Sequence, residues 1–400
     1  MKVAGIVAEY NPFHTGHAYQ IQQTRDRLGK ECAVMAVMSG NWVQQADCAI
    51  ADKWIRARLA LMGGADLVVE LPTVWACSTA ESFARGAVSI LNACGVADTI
   101  SFGSECGDIA GLKQVAACLD TPEYDRRVRA LLDDGATFAA CRQQAVEELL
   151  GAQLGGLLSK PNNNLGVEYI RALTALDSKI EPMTVLREGA AHNSTGQTAR
   201  FVSATQIRME LSDGNWDAAQ PYLIEGGRAL LEGRTVARSG LEQVERAILA
   251  RLRTLTAEDW RELPDCGLAE GLPNRLERAG KRCVSVDDFL EQAKTKRYTR
   301  ARLNRLVLWA FLGLRGADVP ACPPYIRVLG FNERGREVLR QMKECATLPV
   351  LTKPAHAREL EETGRRLFEL ESRCTDLYDL CFENVPTPGR EWNTDPVILL

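Results

Sequence analysis

The chain has 400 residues, with 48 Lys and Arg against 52 Asp and Glu for a formal net charge of −4, and 46% of its residues are hydrophobic. That is the composition of a globular protein with a sizeable core, and it excludes a generally basic nucleic-acid coat, so any RNA contact has to be a local patch. No window holds the roughly 18 apolar residues of a membrane-spanning helix, and the N-terminus runs straight into a strand instead of a signal peptide. The expectation is a cytoplasmic protein of two domains that makes no use of a membrane. Thirteen cysteines lie scattered from Cys32 to Cys381 without paired short spacings, which suits reduced core residues better than a disulfide framework or a zinc ribbon.

In chain order, Val3 to Ala8 is an apolar run suited to a buried parallel strand. Pro12 and Gly16 punctuate the turn that follows, and Ala18, Ile21 and the residues beyond suit a helix. His14 and His17 then fall at i and i+3 on one face of the helix's first turn. A helix N-terminus attracts phosphate through its unpartnered N–H groups and its dipole, and Gly16 lets phosphates approach the backbone. Two imidazole donors there can stabilise the charge that develops when a nucleophile attacks the α-phosphorus of a nucleoside triphosphate. Two other readings stay open: a pair of capping histidines, or a pair of metal ligands. The chain has only four histidines, His14, His17, His192 and His356, and no His-Glu-x-x-His or Cys-x-x-Cys element. A zinc site would therefore need distant carboxylates, and no resident metal is expected.

Further apolar runs at Cys32 to Met38, Asp66 to Leu71 and Thr99 to Phe102 alternate with helical stretches, the pattern of an α/β doubly wound parallel sheet. Such sheets bind ligands at the carboxyl ends of their strands, which directs attention to Glu9 to Gly16, Ser39 to Asp47, Glu70 to Trp75 and Gly103 to Asp108. Lys53, Arg56 and Arg58 read as the solvated face of a helix. A helical insertion is expected around 108–160, with helices at Leu112 to Leu119, Tyr124 to Leu132 and Ala139 to Leu150. Lys160 to Gly166 reads as a turn-rich loop before a helix from Val167 to Leu176, and Glu181 to Leu186 as a strand. This places a nucleotide-binding catalytic domain at 1–214. From 215 to 400 the pattern is mainly helical, with apolar spacing through Leu241, Val244, Ile248 and Leu252. A strand at Tyr325 to Leu329 and a helix from Gly335 to Met342 point to a small α/β element near the end.

Several later segments suit the same chemistry. In Ser203-Ala-Thr-Gln-Ile-Arg208, Ser203 or Thr205 can cap a helix or bond phosphate, and Arg208 offers a forked, permanently charged donor. Gly103 lies at a strand end, where a nucleoside can rest against the backbone. Asn162 offers both donor and acceptor in a segment equally suited to a turn, and Arg187 can reach phosphate or make a surface salt bridge. Across 281–310 there are eight Lys and Arg against three Asp and Glu, a patch that suits an RNA backbone, with Tyr298 available to stack.

The segment His14-Thr-Gly-His17 resembles the motif of the HIGH-type nucleotidyltransferases, which have a Rossmann-like fold. The wider set of segments resembles one family nearly end to end: the bacterial tRNA(Met) cytidine acetate ligases. Gly5 to His17, Ser39 to Gln44, Phe102 to Glu105, Asn162 to Tyr169, Ser203 to Arg208, Thr295 to Arg305 and Arg327 to Phe331 carry the resemblance. It implies an ATP-dependent ligase that makes acetyl-adenylate from acetate and passes the acetyl group to N4 of the wobble cytidine of elongator tRNA(Met), held partly by the helical domain. It implies ATP contacts from Val7, Ala8, Glu9, Tyr10, Asn11, Pro12, Phe13, His14, Thr15, Gly16, His17, Ala18, Tyr19 and Gln20, and from Gly103, Asn162 and Arg187. With these, His14, His17 and Arg208 are the expected catalytic groups, Ser203 and Thr205 further phosphate ligands, and Mg2+ the companion of the triphosphate. Gln45, Cys48 and Ala191 depart from the family pattern, where arginine, proline and tyrosine are expected. Two other functions stay open: an adenylyltransferase acting on a small phosphorylated metabolite, and a non-catalytic nucleotide-sensing RNA-binding protein.

Overall fold

The computed structural model describes residues 1–133, 137–187, 201–236, 240–266, 271–295 and 298–400. Its strands are β1 (Val3–Ala8), β2 (Ala33–Ser39), β3 (Trp42–Val43), β4 (Asp47–Cys48), β5 (Leu67–Leu71), β6 (Thr99–Ser104), β7 (Glu181–Leu186), β8 (Ile326–Asn332), β9 (Val350–Leu351) and β10 (Val397–Leu399). All but β3 and β4, which form a small hairpin, join one sheet in the order β10-β8-β5-β2-β1-β6-β7, with β9 pairing the first residues of β8, Ile326 and Arg327. The central strands are apolar on both faces, Ala33–Ser39 being buried throughout, because helices cover the sheet on both sides. Helix α1 (Thr15–Leu28) links β1 to β2, and α2 (Lys53–Met62) leads from the loop after β2 towards β5. The strands β5, β2, β1, β6 and β7 are mutually parallel, as expected for an α/β doubly wound fold. Among the described residues, no helix is long and apolar enough to cross a membrane.

The structure departs from the sequence reading in three places. First, β8 is antiparallel to β5, so the sheet is mixed, and the strands near the C-terminus extend this sheet instead of building an element of their own. The reason lies in the helix Arg300–Leu312, whose Trp309 Nε1 donates to the Cys77 carbonyl just beyond the carboxyl end of β5 (2.9 Å). A chain leaving that helix enters the sheet from the carboxyl edge, and so runs against β5.

Second, Lys160 to Gly166 is not a loop: a helix covers Pro161–Ala175. Proline sits at its first position, and Glu105 caps it from another strand's end, accepting from the Asn162 and Asn163 N–H groups (3.2 and 2.8 Å). Asn163 Oδ1 accepts in return from the Glu105 and Cys106 N–H groups (2.9 and 3.1 Å).

Third, Lys53 and Arg56 are not solvated; they are 1% and 0% exposed, while Arg58 is on the surface. Lys53 Nζ lies 2.6 Å from both Glu70 and Glu391. Burial opposes its charge, yet Glu391 and Glu70 hold its pKa above the usual value. Glu371 beside them is pushed up to about 8 by burial and by Glu70.

This buried network joins α2 and β5 to the C-terminal segment. The helix Glu362–Asp379 is tied to the loops after β2 and β5: Trp42 Nε1 donates to the Cys374 carbonyl (2.9 Å), Tyr378 Oη to the Ala49 carbonyl (3.0 Å), and the Thr73 N–H to Glu371 (2.7 Å). All thirteen cysteines are free, most of them in the core. Replacing Lys53 by methionine leaves Glu70 without an ion-pair partner among the described residues and Glu391 with only the longer contact to Arg327 (3.7 Å), and should destabilise the fold by about 3–5 kcal/mol in urea denaturation. A loss below about 1 kcal/mol would contradict the pairing described.

Candidate active site

The carboxyl ends of β6 and β7 and the first turns of α1 enclose a cleft of about 420 Å3, lined among others by His14, Gly16, His17, Tyr19, Gln20, Gly103, Arg187 and Ser203. The chain reaches it through a tightly held loop. Tyr10 takes φ 47°, Phe13 is fully buried against Gly63, where a Cβ would lie 2.0 Å from its ring, and Asn11 Oδ1 accepts from the Ile50 N–H (2.7 Å). The buried Arg56 guanidinium donates to the carbonyls of Glu9, Ser39, Gly40 and Ala51, joining the loops after β1 and β2.

Of the three readings of the histidine pair, capping is visible in the geometry, and it sets the chemistry. His14 Nδ1 accepts from the Gly16 N–H (3.0 Å), and His17 Nδ1 accepts from the His14 N–H (3.3 Å), a reciprocal box at the N-terminus of α1. The ring centroids lie 3.9 Å apart with the planes tilted by 38°, and Tyr10 packs edge-on to His17 at 4.9 Å. With both Nδ1 atoms accepting, each neutral ring carries its proton on Nε2 and has that N–H to donate. Burial, aided by the charge of Arg187, lowers the His14 pKa to about 4. His17 lies well below the usual value for the same reason, with further contributions from His14 and Arg187. Both rings are therefore neutral donors at pH 7.

The pairing corrects one expectation. The Gly16 N–H is taken by His14, and the His17 and Ala18 N–H groups bond the His14 carbonyl (2.9 and 3.2 Å), so these helix-terminal amides are not open to phosphate. Fixed positive charge comes from Arg187, the one Lys or Arg among the described residues that line the cleft. It follows β7, its N–H bonds the Ser104 carbonyl (2.9 Å), and its side chain lies over Gly103, where a Cβ would be 3.0 Å from Arg187 Cγ.

Other expected residues sit differently. Tyr10, Asn11, Pro12 and Phe13, which form the loop, are buried, and Val7 and Ala8 are half-buried at the end of β1. Thr15 and Ala18 are half-buried on α1. Gln20 Nε2 donates to the Ser101 carbonyl (3.2 Å). Glu9 accepts from the Gln44 N–H (2.9 Å), and burial raises its pKa against the pull of that bond, Arg208 and Arg56. Asn162 Nδ2 donates to Glu105 (2.7 Å) and stands behind that cleft-lining carboxylate. Ser203 caps the helix Ala204–Ser212 at the cleft wall. Arg208 is not among the residues that line the cleft: it donates to the Asn11 carbonyl (2.7 Å) and to Thr205 Oγ1 (3.1 Å), clamping the loop.

Sequence reasoning missed Glu105, Val185, Leu186, Phe201, Val202 and Gln206 as walls of the cleft. The Phe201 ring stands 5.1 Å from Tyr19, centroid to centroid, and an apolar pair just ahead of Ser203 was the available signal. Gln45 is exposed, Cys48 is buried in β4, and Ala191 and His192 lie outside the described residues.

The profile of the HIGH Nucleotidyl Transferase family matches residues 1–391. A tRNA(Met) cytidine acetate ligase of Caldanaerobacter subterraneus subsp. tengcongensis is 38% identical over 96% of both chains, and one of Clostridium kluyveri is 36% identical over 100% of this chain and 99% of its own. The chain belongs to this ligase family. Among solved structures, Thermotoga maritima TmcAL bound to alpha-thio ATP matches with a TM-score of 0.89 at 33% identity, and its apo form with 0.91 at 34%, each over 100% of both chains.

Two outcomes check the site. The unfolded chain's histidines titrate near 6.5, so it binds more protons than the fold as pH falls from about 6.5 towards 4, and stability declines across that window. In NMR titrations of the free protein the His14 and His17 ring protons should stay unshifted from pH 8 to about 5.5; midpoints near 6.5 would contradict the neutral pair. Separately, Gly16→Ala puts a methyl 2.8 Å from His14 Cε1 and should displace that ring. It should weaken ATP binding on the order of tenfold or more in calorimetry, without global unfolding.

Proposed function

We propose that the protein is an ATP-dependent ligase that activates acetate as acetyl-adenylate and transfers the acetyl group to N4 of the wobble cytidine of elongator tRNA(Met), in the cytoplasm where tRNA is used. The observation that carries the nucleotide step is the pair of neutral Nε2–H donors beside one arginine in a nucleotide-sized cleft. Full-length relatives named for this activity, and a solved neighbour bound to an ATP analogue, support the substrates.

An acetate oxygen attacks the α-phosphorus, a P–O bond forms, and the bond to the β-phosphate oxygen breaks to release pyrophosphate. His14 and His17 bond phosphate oxygens as charge shifts onto them, and Arg187 balances the triphosphate. Arg208 acts through the loop it clamps, holding the Asn11 carbonyl and so the path that presents the histidines. The cytidine amine then attacks the acetyl carbonyl, the amine loses its proton, and AMP leaves. Excluding water protects the adenylate from hydrolysis.

Glu105 is the only Asp or Glu among the described lining residues, and it is committed to the 162–163 amides. Mg2+ would accordingly come with the triphosphate and not on a carboxylate of this cleft, and would supply neutralisation of phosphate charge. The 281–310 patch supports RNA contact less than its composition suggests. Tyr298 is buried, Arg300 pairs with Asp287 and Glu291, and Arg302 and Arg305 bond Asp265, while Arg297 lies outside the described residues.

His17→Asn should reduce acetate-dependent ATP–pyrophosphate exchange by roughly 100-fold or more while leaving tRNA affinity within about twofold. Full exchange in the variant would refute the role assigned to His17.

A further inference from the structure

A second cavity, of about 500 Å3, opens beside the first turns of α2 and belongs to none of the machinery above. Its walls include Trp54 and Phe382 and carry Arg58, Arg234 and Arg390 against the single carboxylate of Asp52. Arg390 is spoken for, at 2.6 Å from Asp52 and 2.8 Å from Asp379. Arg58 and Arg234 are exposed and have no carboxylate partner among the described residues, in contrast to Arg300, Arg302 and Arg305. Phe382 is half-buried with its ring edge-on to Tyr378 at 5.4 Å, and the indole N–H of Trp54 is buried without an acceptor.

The wall of this cavity is tied to the loop that presents the histidines through one residue, Ile50. The Val236 N–H, two residues beyond Arg234, donates to the Ile50 carbonyl (2.8 Å), and the Ile50 N–H donates to Asn11 Oδ1 in the loop that presents the histidines. α2 itself starts where the loop after β2 ends, and its N-cap Asp52, at the end of that loop, lines this cavity.

Unpaired guanidinium groups beside a partly open aromatic ring are what a single-stranded nucleotide needs: a charge for its phosphate and a surface for its base. We propose that this cavity receives a nucleotide of the RNA substrate close to the acetylated cytidine, with its phosphate between Arg58 and Arg234 and its base against Phe382. The proposal rests on the RNA-acetylating reading above and locates the RNA path on the α2 side of the phosphate loop.

The test uses the full chain carrying Arg58→Glu and Arg234→Glu, both at exposed positions, and an unmodified tRNA(Met) transcript. Binding should weaken on the order of tenfold or more at low salt, and the slope of log affinity against log salt should flatten by roughly 2. Acetate-dependent ATP–pyrophosphate exchange should not change, since neither arginine lines the ATP cleft. Phe382→Leu should weaken binding severalfold and leave the slope alone. Wild-type affinity and slope in the double variant would overturn the proposal, as would loss of self-association as its sole effect, which would assign the cavity to a second copy of this chain. If the unaltered protein shows no acetate-dependent exchange, the acetate reading itself fails, whatever the arginine variants do to tRNA binding.

Discussion

Everything in the cleft depends on a guanidinium that never reaches it. Arg56, fully buried, gathers the carbonyls of Glu9, Ser39, Gly40 and Ala51, and so fixes the loops leaving β1 and β2 relative to one another. Loop carbonyls buried without donors would each cost about 1–3 kcal/mol, and one permanently charged fork satisfies four of them. With those loops held, Asn11 can brace the Ile50 amide and Arg208 can clamp the Asn11 carbonyl, so the turn into α1 has one conformation. The outer side of the same loops is held by the helix Glu362–Asp379 and the Lys53 network.

The histidines are accordingly donors of a particular kind. Each uses Nδ1 to complete the helix cap, which sets its tautomer, and burial keeps it uncharged. A neutral donor binds the triphosphate less strongly in the ground state than an imidazolium would, and its bond strengthens as charge builds on the phosphate oxygens. In the proposed mechanism Arg187, at the end of β7 in the same cleft, supplies the fixed charge. The division of labour follows from position: the cation stands at a strand end, and the neutral pair stands where the helix dipole already disfavours positive charge.

What was legible in the sequence was local. The strands at Val3 to Ala8 and Glu181 to Leu186, the strand–turn–helix around His14, and the helix capped by Ser203 follow from periodicity and turn residues within one short window. What was not legible depends on partners far along the chain. Lys53 and Arg56 resemble a solvated helix face until Glu391 and the loop carbonyls are brought to them. Lys160 to Gly166 reads as a loop because its cap comes from Glu105, on another element. Arg208 was expected at the phosphates and instead holds the loop, because nothing in a Ser-x-Thr-x-x-Arg spacing tells which neighbour the arginine meets. The antiparallel entry of β8 depends on where the preceding helix docks, through the bond of Trp309 to the far-removed Cys77.

The most direct measurement of the central claim is incubation of the protein with ATP, labelled acetate and tRNA(Met) lacking the modification, followed by nucleoside and nucleotide analysis. The account predicts label in N4-acetylcytidine at the wobble position, with AMP and pyrophosphate formed in step with it. Release of ADP in place of AMP, or a stable adenylylated small molecule with no acetylated cytidine, would contradict it.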